Sequence, residues 1–273
     1  MKLLLNLREA LRALRANALR SVLTTLGIIF GVASVTVMIA IGAGTQKRIQ
    51  EDIETLGTNT LQVHPGSAMS SGVRLARGAR ATLTDDDARA ILSEVQDLVA
   101  AAPLVRGRVH AVFSNANWST NVWGVTNQFF TARDWHPATG RKFAEEEIEA
   151  GRKVALVGRT VADRLFKDTD PVDQSIRIDR LTFRVIGVLQ TKGQTIEGAD
   201  LDDMIVVPLN TARNYLLGRA LGSARAVTSV VVKASEDAVL PSVESEIRQV
   251  LRQRHGLADG KEDDFRVQNM AEY

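Results

Sequence analysis

The sequence predicts a membrane-anchored α/β (α+β) protein. One N-terminal transmembrane helix with a stalk is followed by a split β-α-β subdomain that carries an inserted mixed α/β subdomain. Three observations predict this fold class: residues 21–46 carry no charge, apolar residues recur at helical spacing on both sides of that stretch, and strand and helix patterns alternate after about residue 58. The 273 residues are 45% hydrophobic and 24% charged, which is typical of a folded chain rather than a disordered one.

The N-terminal segment 1–20 concentrates the positive charge. It holds five cations and one anion, whereas the whole chain has 34 Lys and Arg against 32 Asp and Glu. Residues 21–273 therefore have a net charge of −2. A nucleic-acid-binding protein carries its basic residues on its folded part, so this distribution argues against nucleic acid as a partner.

The uncharged stretch 21–46 is long enough to cross a membrane, since about 20 apolar residues span the hydrocarbon core as a helix. A cleaved secretory signal is the alternative, because small residues lie at Ala40, Gly42 and Ala43. The apolar core of such a signal is only about 7 to 15 residues long. The basic flank favours a cytoplasmic N-terminus. We therefore expect the N-terminus in the cytoplasm and the main domain outside it.

Both flanks of the span have helical patterns. Residues 1–20 predict a cytoplasmic amphipathic helix with leucines on one face. Its expected cytoplasmic interface residues are Arg8, Arg12, Arg15 and Arg20. A simple basic flank is the alternative. After the span, residues 47–57 predict a helical stalk, with apolar residues at Ile49, Ile53 and Leu56 and a helix-ending glycine at residue 57.

Two glycines one turn apart, Gly27 and Gly31, form a GxxxG motif inside the span. Bare positions at this spacing let another transmembrane helix approach closely. The motif predicts helix packing at these residues. The alternative is that the glycines face lipid and have no packing role.

Two β-α-β units are expected at the ends of the extracytoplasmic region, in residues 58–123 and 224–273. In the first unit a strand precedes a helix whose capping box pairs Thr84 with Asp87. Pro103 is expected to close this helix, and two strands or one long hairpin follow. In the second unit a helix from about Val239 to His255 lies between two strands.

Residues 124–223 are expected to form the inserted subdomain. Its patterns predict a strand in KVALVG, a helix in RTVADRLF, a hairpin in IRIDRLTFRVIGVLQ, and a strand followed by a helix in DMIVVPLNTARNYLLG. The alternation of helices and strands agrees with a mixed α/β arrangement.

No motif for catalysis or metal binding stands out. The chain has no cysteine, its four histidines lack metal-ligand spacing, and neither a phosphate loop nor a GxSxG motif occurs. Four acidic clusters remain, at 85–87, 145–147, 200–203 and 262–264. The cluster at 200–203 lacks the glycine and closing glutamate of a calcium loop, so loop or turn chemistry is favoured over calcium. We expect no catalytic, cofactor-binding or metal-binding residue.

Four motifs in order carry a family resemblance: GIIFGVASV in the span, IETLGTNTLQVHPG after it, DPVDQSIRIDRLTFRVIGVLQTKGQ in the middle and DLDDMIVVP beyond. Over about residues 5–273 the chain resembles the MacB-type ABC transporter permeases. The resemblance implies a non-enzymatic permease subunit of the bacterial inner membrane, with a porter-like α/β subdomain in its periplasmic part. It also implies a separate ABC ATPase subunit that binds the ATP, a second permease copy, a periplasmic adaptor protein, mechanotransmission and substrate export.

The sequence departs from the family pattern in two places. Asp173 stands where the family usually has a glycine in DPVGQ, and Asp tolerates such a turn. The family continues past the segment FRVQNMAEY into three further transmembrane helices, so the chain is expected to be a fragment. The span begins close to Met1, so the ATPase is expected on a separate chain.

A second interpretation of the sequence belongs to a different functional class. A single-pass membrane-anchored periplasmic sensor or ligand-binding module has the same visible organisation of one span and one folded domain. A membrane-anchored hydrolase is a weaker third alternative.

Overall fold

The structure is a computed structural model that describes residues 15–56, 59–66, 69–70, 73–74, 82–167, 169–195, 198–218, 222–258 and 260–269. The chain divides into two units, residues Met1–Asp52 and Ile53–Tyr273.

Helix α1, Ala18–Leu56, has 39 residues. Its first 29 residues, Ala18–Gln46, are long and apolar enough to cross a membrane. The helix is about 58 Å long at 1.5 Å per residue. The apolar helix predicted for residues 21–46 is therefore present, and it begins three residues earlier than the sequence indicated.

The hydroxyl groups in the apolar span are satisfied within the helix itself. Ser34 donates to the carbonyl oxygen of Phe30 at 2.7 Å, and Thr36 donates to that of Val32 at 2.8 Å. Thr25 and Thr45 bond in the same way one turn back. A hydrocarbon environment offers no water to such groups, so these internal bonds suit a membrane-spanning helix.

One sheet of ten strands organises the second unit. Its strands are β1 Thr60–Pro65, β4 Leu98–Phe113, β5 Ala116–Val125, β6 Pro137–Gly140, β7 Val154–Val157, β8 Ser175–Ile178, β9 Leu181–Leu189, β10 Met204–Pro208, β11 Ser229–Ala234 and β12 Phe265–Asn269. The order is β12-β1-β11-β4-β5-β10-β7-β9-β6, and β8 pairs with both β4 and β9. Strands β2 Met69–Ser70 and β3 Val73–Arg74 pair only with each other within the described part of the chain.

Helices cover parts of both faces of the sheet. They are α2 Asp85–Glu94, α3 Asn127–Ala132, α4 Glu145–Glu149, α5 Arg159–Leu165, α6 Leu209–Thr211 and α7 Leu240–Arg254, with a π-helix at Ala212–Leu217 directly after α6. The sequence patterns predicted α2, α5 and α7 and the helix after β10. They did not predict α3 or β6, because four to six residues are too few to show a period.

Strand β4 connects the two halves of the sheet. It pairs with β11 from Leu98 to Leu104 and with β5 from Leu104 to Phe113. Near its end, Ala111 pairs with Ile178 of β8. Because β8 also pairs with β9, strands β4, β5, β10, β7, β9 and β8 close into a ring. The predicted boundaries of the inserted subdomain stay a prediction, since both halves share this one sheet.

Two apolar clusters fill the two sides of the sheet. The larger contains Leu61, Ile91, Val230 and Ile247, and extends into the ring as Val109, Ala111, Val122, Ile176, Phe183 and Val185. The smaller lies on the opposite side and centres on Trp123, Phe129, Phe130 and Trp135. In the smaller cluster the Trp123 and Trp135 rings meet edge to face with centroids 6.3 Å apart. Alternate strand residues supply the two clusters, as the period of two requires.

The π-helix rests directly on the hairpin formed by β4 and β5. A Cβ atom added to Gly107 of β4 would lie 2.2 Å from Leu217, and one added to Gly124 of β5 would lie 2.3 Å from the Cβ of Ala212. Both strand positions therefore need glycine so that the π-helix can approach this closely.

The capping box predicted for helix α2 is present. The Asp87 amide donates to the Thr84 hydroxyl at 3.3 Å, and the Thr84 amide donates to the Asp87 carboxylate at 2.9 Å. The end predicted for helix α2, at Pro103, was wrong. Helix α2 ends at Glu94, and Pro103 lies inside strand β4. Pairing of β4 with β5 reaches only Leu104, so the missing N–H of Pro103 lies just past the end of that ladder.

A buried polar cluster joins the start of α2 to the end of α7. Asp87 accepts hydrogen bonds from Thr84 and from Arg254 Nε, the latter at 2.9 Å. His255 lies between two carboxylates, with Nδ1 2.7 Å from Asp264 and Nε2 3.5 Å from Asp87. An imidazolium ring can donate to both carboxylates at once.

The two carboxylates change the ionisation of His255. The hydrogen bond to Asp264 and then that to Asp87 raise the pKa of His255 to about 9, although burial acts in the opposite direction. Burial also opposes ionisation of Asp87, but the bonds from His255, Arg254 and Thr84 outweigh it and hold the pKa of Asp87 below its ordinary value.

The backbone of Asp264 holds two further segments. Its carbonyl oxygen accepts the Gly66 amide at 2.7 Å and the Thr82 hydroxyl at 2.8 Å. A Cβ added to Gly66 would lie 2.7 Å from the Asp264 carbonyl carbon, so this approach requires glycine. Both ends of the segment 67–81 are therefore bound to a single carbonyl group.

The fragment 58–273 should fold without the membrane helix, because one continuous sheet and its two apolar clusters lie within Ile53–Tyr273. Thermal unfolding followed by circular dichroism should show one cooperative transition. A broad, non-cooperative transition would contradict the assignment of these residues to one folding unit.

The stability of this fragment should fall at alkaline pH. The folded-state pKa of His255 lies above the ordinary value of 6.5, so its contribution is fully present below about pH 6.5 and is lost as pH rises through about 9. The loss should be about 3 kcal/mol, measured by urea unfolding between pH 6.5 and 10. His255→Gln should remove most of this pH dependence. An unchanged dependence in that variant would assign the effect to other groups.

Candidate functional site: the membrane span and the junction after it

The glycines predicted for helix packing lie on one side of α1, four residues apart. A Cβ atom added to Gly27 or to Gly31 would meet nothing within 4 Å. The surface around them is open and apolar, with Ile28, Phe30 and Val32 all more than half exposed. Nothing in the structure decides between a neighbouring helix and lipid at this surface, so packing at these glycines stays a prediction.

Two of the four predicted interface arginines lie in the described residues. Arg15 and Arg20 are exposed near the start of α1. Arg8 and Arg12, with the rest of the predicted amphipathic helix up to residue 14, lie outside the described residues. The contact of these arginines with a cytoplasmic partner stays a prediction.

The predicted stalk residues belong to the same helix as the span. Ile49, Ile53 and Leu56 lie in the last three turns of α1, which ends at Leu56 without an interruption in its backbone pattern. The helical backbone is therefore continuous from the span to residue 56.

Asn59 fixes the chain where it enters the sheet, three residues after α1 ends. Its φ is +59°, a left-handed conformation that Asn adopts more readily than most residues. Its side-chain amide donates to the Ser235 carbonyl oxygen at 3.1 Å and lies 3.4 Å from that of Glu236. The Asn59 carbonyl in turn accepts the Ala234 amide at 2.9 Å. The residue before strand β1 is thus bonded to the end of β11 through both its side-chain amide and its carbonyl group.

A second left-handed residue meets the same turn. Asp97, with φ +56°, lies between α2 and β4, and its carbonyl accepts the Ser235 amide at 2.8 Å. The preceding amide, that of Gln96, donates to Glu246 of α7 at 3.1 Å. We refer to Asn59, Asp97, Ala234, Ser235 and Glu236 as the junction. It connects the entry of the domain to β4, β11 and α7 at once.

Sequence reasoning missed the junction. An Asn that follows Gly57 and Thr58 at the end of a helix is a local signal for a left-handed residue. Its partners, however, lie 176 and 177 residues further along the chain. No local pattern reports a contact of that separation.

The acidic segment 200–203 has a structural use. Asp202 is buried and accepts the backbone amides of Lys192 at 2.8 Å and Gly193 at 3.0 Å. Asp203 accepts the indole N–H of Trp118 at 2.8 Å and the hydroxyl of Thr120 at 2.7 Å. The carboxylates therefore act as hydrogen-bond acceptors for the surrounding strands. Among the residues that the structure describes, no group of three or more His, Asp or Glu is arranged to hold a metal ion.

Curated relatives align with almost the whole chain. The macrolide export ATP-binding/permease protein MacB of Syntrophobacter fumaroxidans is 34% identical over 98% of this chain and 44% of its own length. The protein of the same name from Azoarcus sp. is 36% identical over 97% of this chain and 38% of its own length. The chain thus spans about two fifths of the length of these relatives.

Solved structures share the fold. The crystal structure of the periplasmic region of MacB from Actinobacillus actinomycetemcomitans matches with a TM-score of 0.63 at 23% identity, over 81% of this chain and 94% of that one. The extracellular domain of the noncanonic ABC-type transporter YknZ from Gram-positive bacteria matches with a TM-score of 0.60 at 16% identity, over 77% of this chain and 100% of that one.

A family model places the chain among known proteins. The model described as the MacB-like periplasmic core domain matches residues 21–250, which include most of helix α1 and all but the end of the sheet. The resemblance inferred from the sequence motifs is confirmed by this match. The chain belongs to the MacB-type permease family, of which it carries the MacB-like periplasmic core domain.

Proposed function

We propose that this chain is the part of an ABC transporter permease that transmits motion from an ATPase in the cytoplasm to an extracytoplasmic domain, and so drives substrate export. The observation that carries the proposal is the single helix α1, which runs from the predicted cytoplasmic side of the span to Leu56. A continuous helix delivers an axial displacement along its whole length, whereas a flexible joint would absorb it. No catalytic role is assigned to the chain.

The junction supports this proposal from the domain side. Only two residues separate Leu56 from Asn59, whose backbone and side chain are both bonded to the end of β11. Strand β11 pairs directly with β4. A displacement that reaches Asn59 would therefore reach the strand that connects the two halves of the sheet.

The names of the relatives support export as the activity and an ABC ATPase as the partner. Those proteins are named macrolide export ATP-binding/permease proteins, and this chain aligns with about two fifths of their length. We infer an ABC ATPase as the source of the motion and, as the sequence predicts, ATP bound on that partner. A second permease copy would pack on α1 at Gly27 and Gly31. The N-terminus would lie on the cytoplasmic side of the inner membrane, and an adaptor protein would bind the domain on the other side.

Ile49→Pro tests the continuity of the helix. Proline removes a backbone hydrogen bond in the interior of a helix and kinks it at a cost of about 3 kcal/mol. In the complete permease with its ATPase, we expect normal expression and assembly but loss of ATP-driven transport. Transport into inverted vesicles and ATPase activity should be measured on the same preparation.

Ile49→Ala is the matched control, because it keeps the helix and removes only side-chain packing. It should retain most of the transport. Unimpaired transport by Ile49→Pro would refute mechanical coupling through α1, and a sensor or passive anchor would then describe the chain better.

Asn59→Asp tests the junction. Asp tolerates the left-handed conformation but cannot donate to the Ser235 carbonyl, so the domain should lose about 1 to 3 kcal/mol of stability. We expect ATPase activity to persist while transport per assembled permease falls several-fold. Both rates should be normalised to the amount of folded protein in the membrane.

Asn115→Asp is the control for this substitution, since residue 115 is exposed in the turn between β4 and β5. It should leave both rates unchanged. If Asn59→Asp lowered only the amount of folded permease, with unchanged transport per molecule, the junction would have a structural role and no part in coupling.

A further inference from the structure

The outer side of strand β4 carries exposed basic residues. Along this strand Val109 and Ala111 point into the ring and are buried, whereas Arg108 and His110 are exposed. Arg106, one step earlier on the same side, stacks on Trp123 with its guanidinium 4.2 Å from the ring centroid. The alternation that fills the core of the ring therefore turns two arginines and a histidine outward.

The two strands next to β4 continue this arrangement. Arg177 of β8 is exposed between the buried Ile176 and Ile178. Arg184 of β9 is exposed between the buried Phe183 and Val185. Each strand thus adds one arginine to the outer side of the ring.

The strand register brings these residues onto one surface. Arg177 pairs with Val112 of β4 on one side and with Thr182 of β9 on the other. Arg184 pairs with Ser175 of β8. Neighbouring strands lie about 4.8 Å apart, so the cations occupy adjoining positions. We refer to Arg108, His110, Arg177 and Arg184 as the basic face.

The outward strand positions that pair with these basic residues hold no acidic residue in the described part of the sheet. On β5, the residues that pair with Arg108, His110 and Val112 are Asn121, Ser119 and Asn117. The exposed outward residues of β8 and β9 that are not arginine are Ser175 and Thr182. The surface therefore alternates cationic groups with small uncharged polar groups.

The arginines of the basic face differ from most others in the domain in their ion pairing. Eight other arginines have a carboxylate within 4 Å, namely Arg89, Arg141, Arg159, Arg213, Arg225, Arg248, Arg252 and Arg254. Among the described residues, Arg108, Arg177 and Arg184 have none.

Glu147 and Asp179 lie beside the face, and both accept hydrogen bonds. Glu147 accepts two bonds from Arg141, each 2.7 Å long. These bonds are the main cause that lowers the pKa of Glu147, and Arg184 adds a weaker electrostatic contribution. Asp179, in the turn between β8 and β9, accepts the backbone amide of His110 at 3.0 Å. In the described part of the chain, neither carboxylate lies within 4 Å of a side-chain nitrogen of Arg108, Arg177 or Arg184.

We propose that the basic face binds an acidic surface of a partner protein. The face gathers three arginines on one surface, and an acidic surface would complement their charge. The cations spread over three strands of an exposed sheet surface and do not converge on one pocket, so an extended surface fits better than a single small anion. A second copy of this chain would present the same basic face in a two-fold contact, which would bring like charges together. The inference does not depend on the proposed coupling through α1.

A binding experiment with an acidic probe tests the charge chemistry. The complete chain in detergent should be titrated against a fluorescently labelled 20-residue poly-glutamate peptide, with anisotropy as the readout. Arg177→Glu should weaken binding about tenfold, and the difference should shrink as salt is raised. Arg266→Glu is the matched control, because Arg266 is an exposed arginine on the edge strand β12 and also lacks an ion pair among the described residues. Its binding should stay within twofold of the unchanged chain.

Equal losses in the two variants would overturn the proposal, since binding would then reflect overall charge. Binding of phosphatidylglycerol vesicles that depends on Arg177, without binding of the peptide, would also overturn it and would assign the face to lipid. Thermal unfolding of both variants checks that the fold is intact.

An experiment in cells tests whether the partner is a protein. A photoreactive phenylalanine analogue at Thr182, an exposed position between Arg177 and Arg184, should crosslink a partner in the complete permease. Arg177→Glu should abolish the crosslink, and an acidic-to-arginine substitution in the captured protein should restore it. A crosslink that persists in Arg177→Glu, or that no charge exchange restores, would refute recognition by this face.

Discussion

Strand β4 has to pair with β11, β5 and β8 along its 16 residues, and the rest of the domain depends on this requirement. Its first half belongs to the side of the sheet that is packed by α2 and α7, and its second half closes the ring. The bare backbone at Gly107 lets the π-helix lie directly on it. A strand of this length leaves no flexible connection between the two halves, so a force applied to one is transmitted by hydrogen bonds rather than by a linker.

Local sequence patterns predicted the individual elements well, because each pattern reports a local interaction. The capping box at Thr84 and Asp87 and the hairpin that becomes β8 and β9 were readable in this way. Pro103 was misread, because the rule that proline ends a helix says nothing about a strand whose neighbour stops one residue away. The closed ring, the junction at Asn59 and the pairing of His255 with Asp87 depend on contacts between distant segments, and no local period encodes those.

The role of a charged residue is better judged from its partners in the fold than from the clustering of charges along the sequence. The acids at 200–203 form a cluster in the sequence, and the structure shows Asp202 and Asp203 engaged by backbone amides, an indole and a hydroxyl. The arginines of β4, β8 and β9 are scattered in the sequence, yet the strand register brings them together. Burial forces a carboxylate to find donors within the fold, whereas an exposed arginine is under no such requirement.

The Asp264 carbonyl group, which binds both Gly66 and Thr82, holds two separate points of the chain together. The entropic cost of closing a flexible connection between two such points rises by only about 0.6 kcal/mol for each doubling of its length. A single acceptor next to β12 thus ties the end of β1 to the approach of helix α2, so that one peptide group sets where the chain leaves the sheet and where it returns.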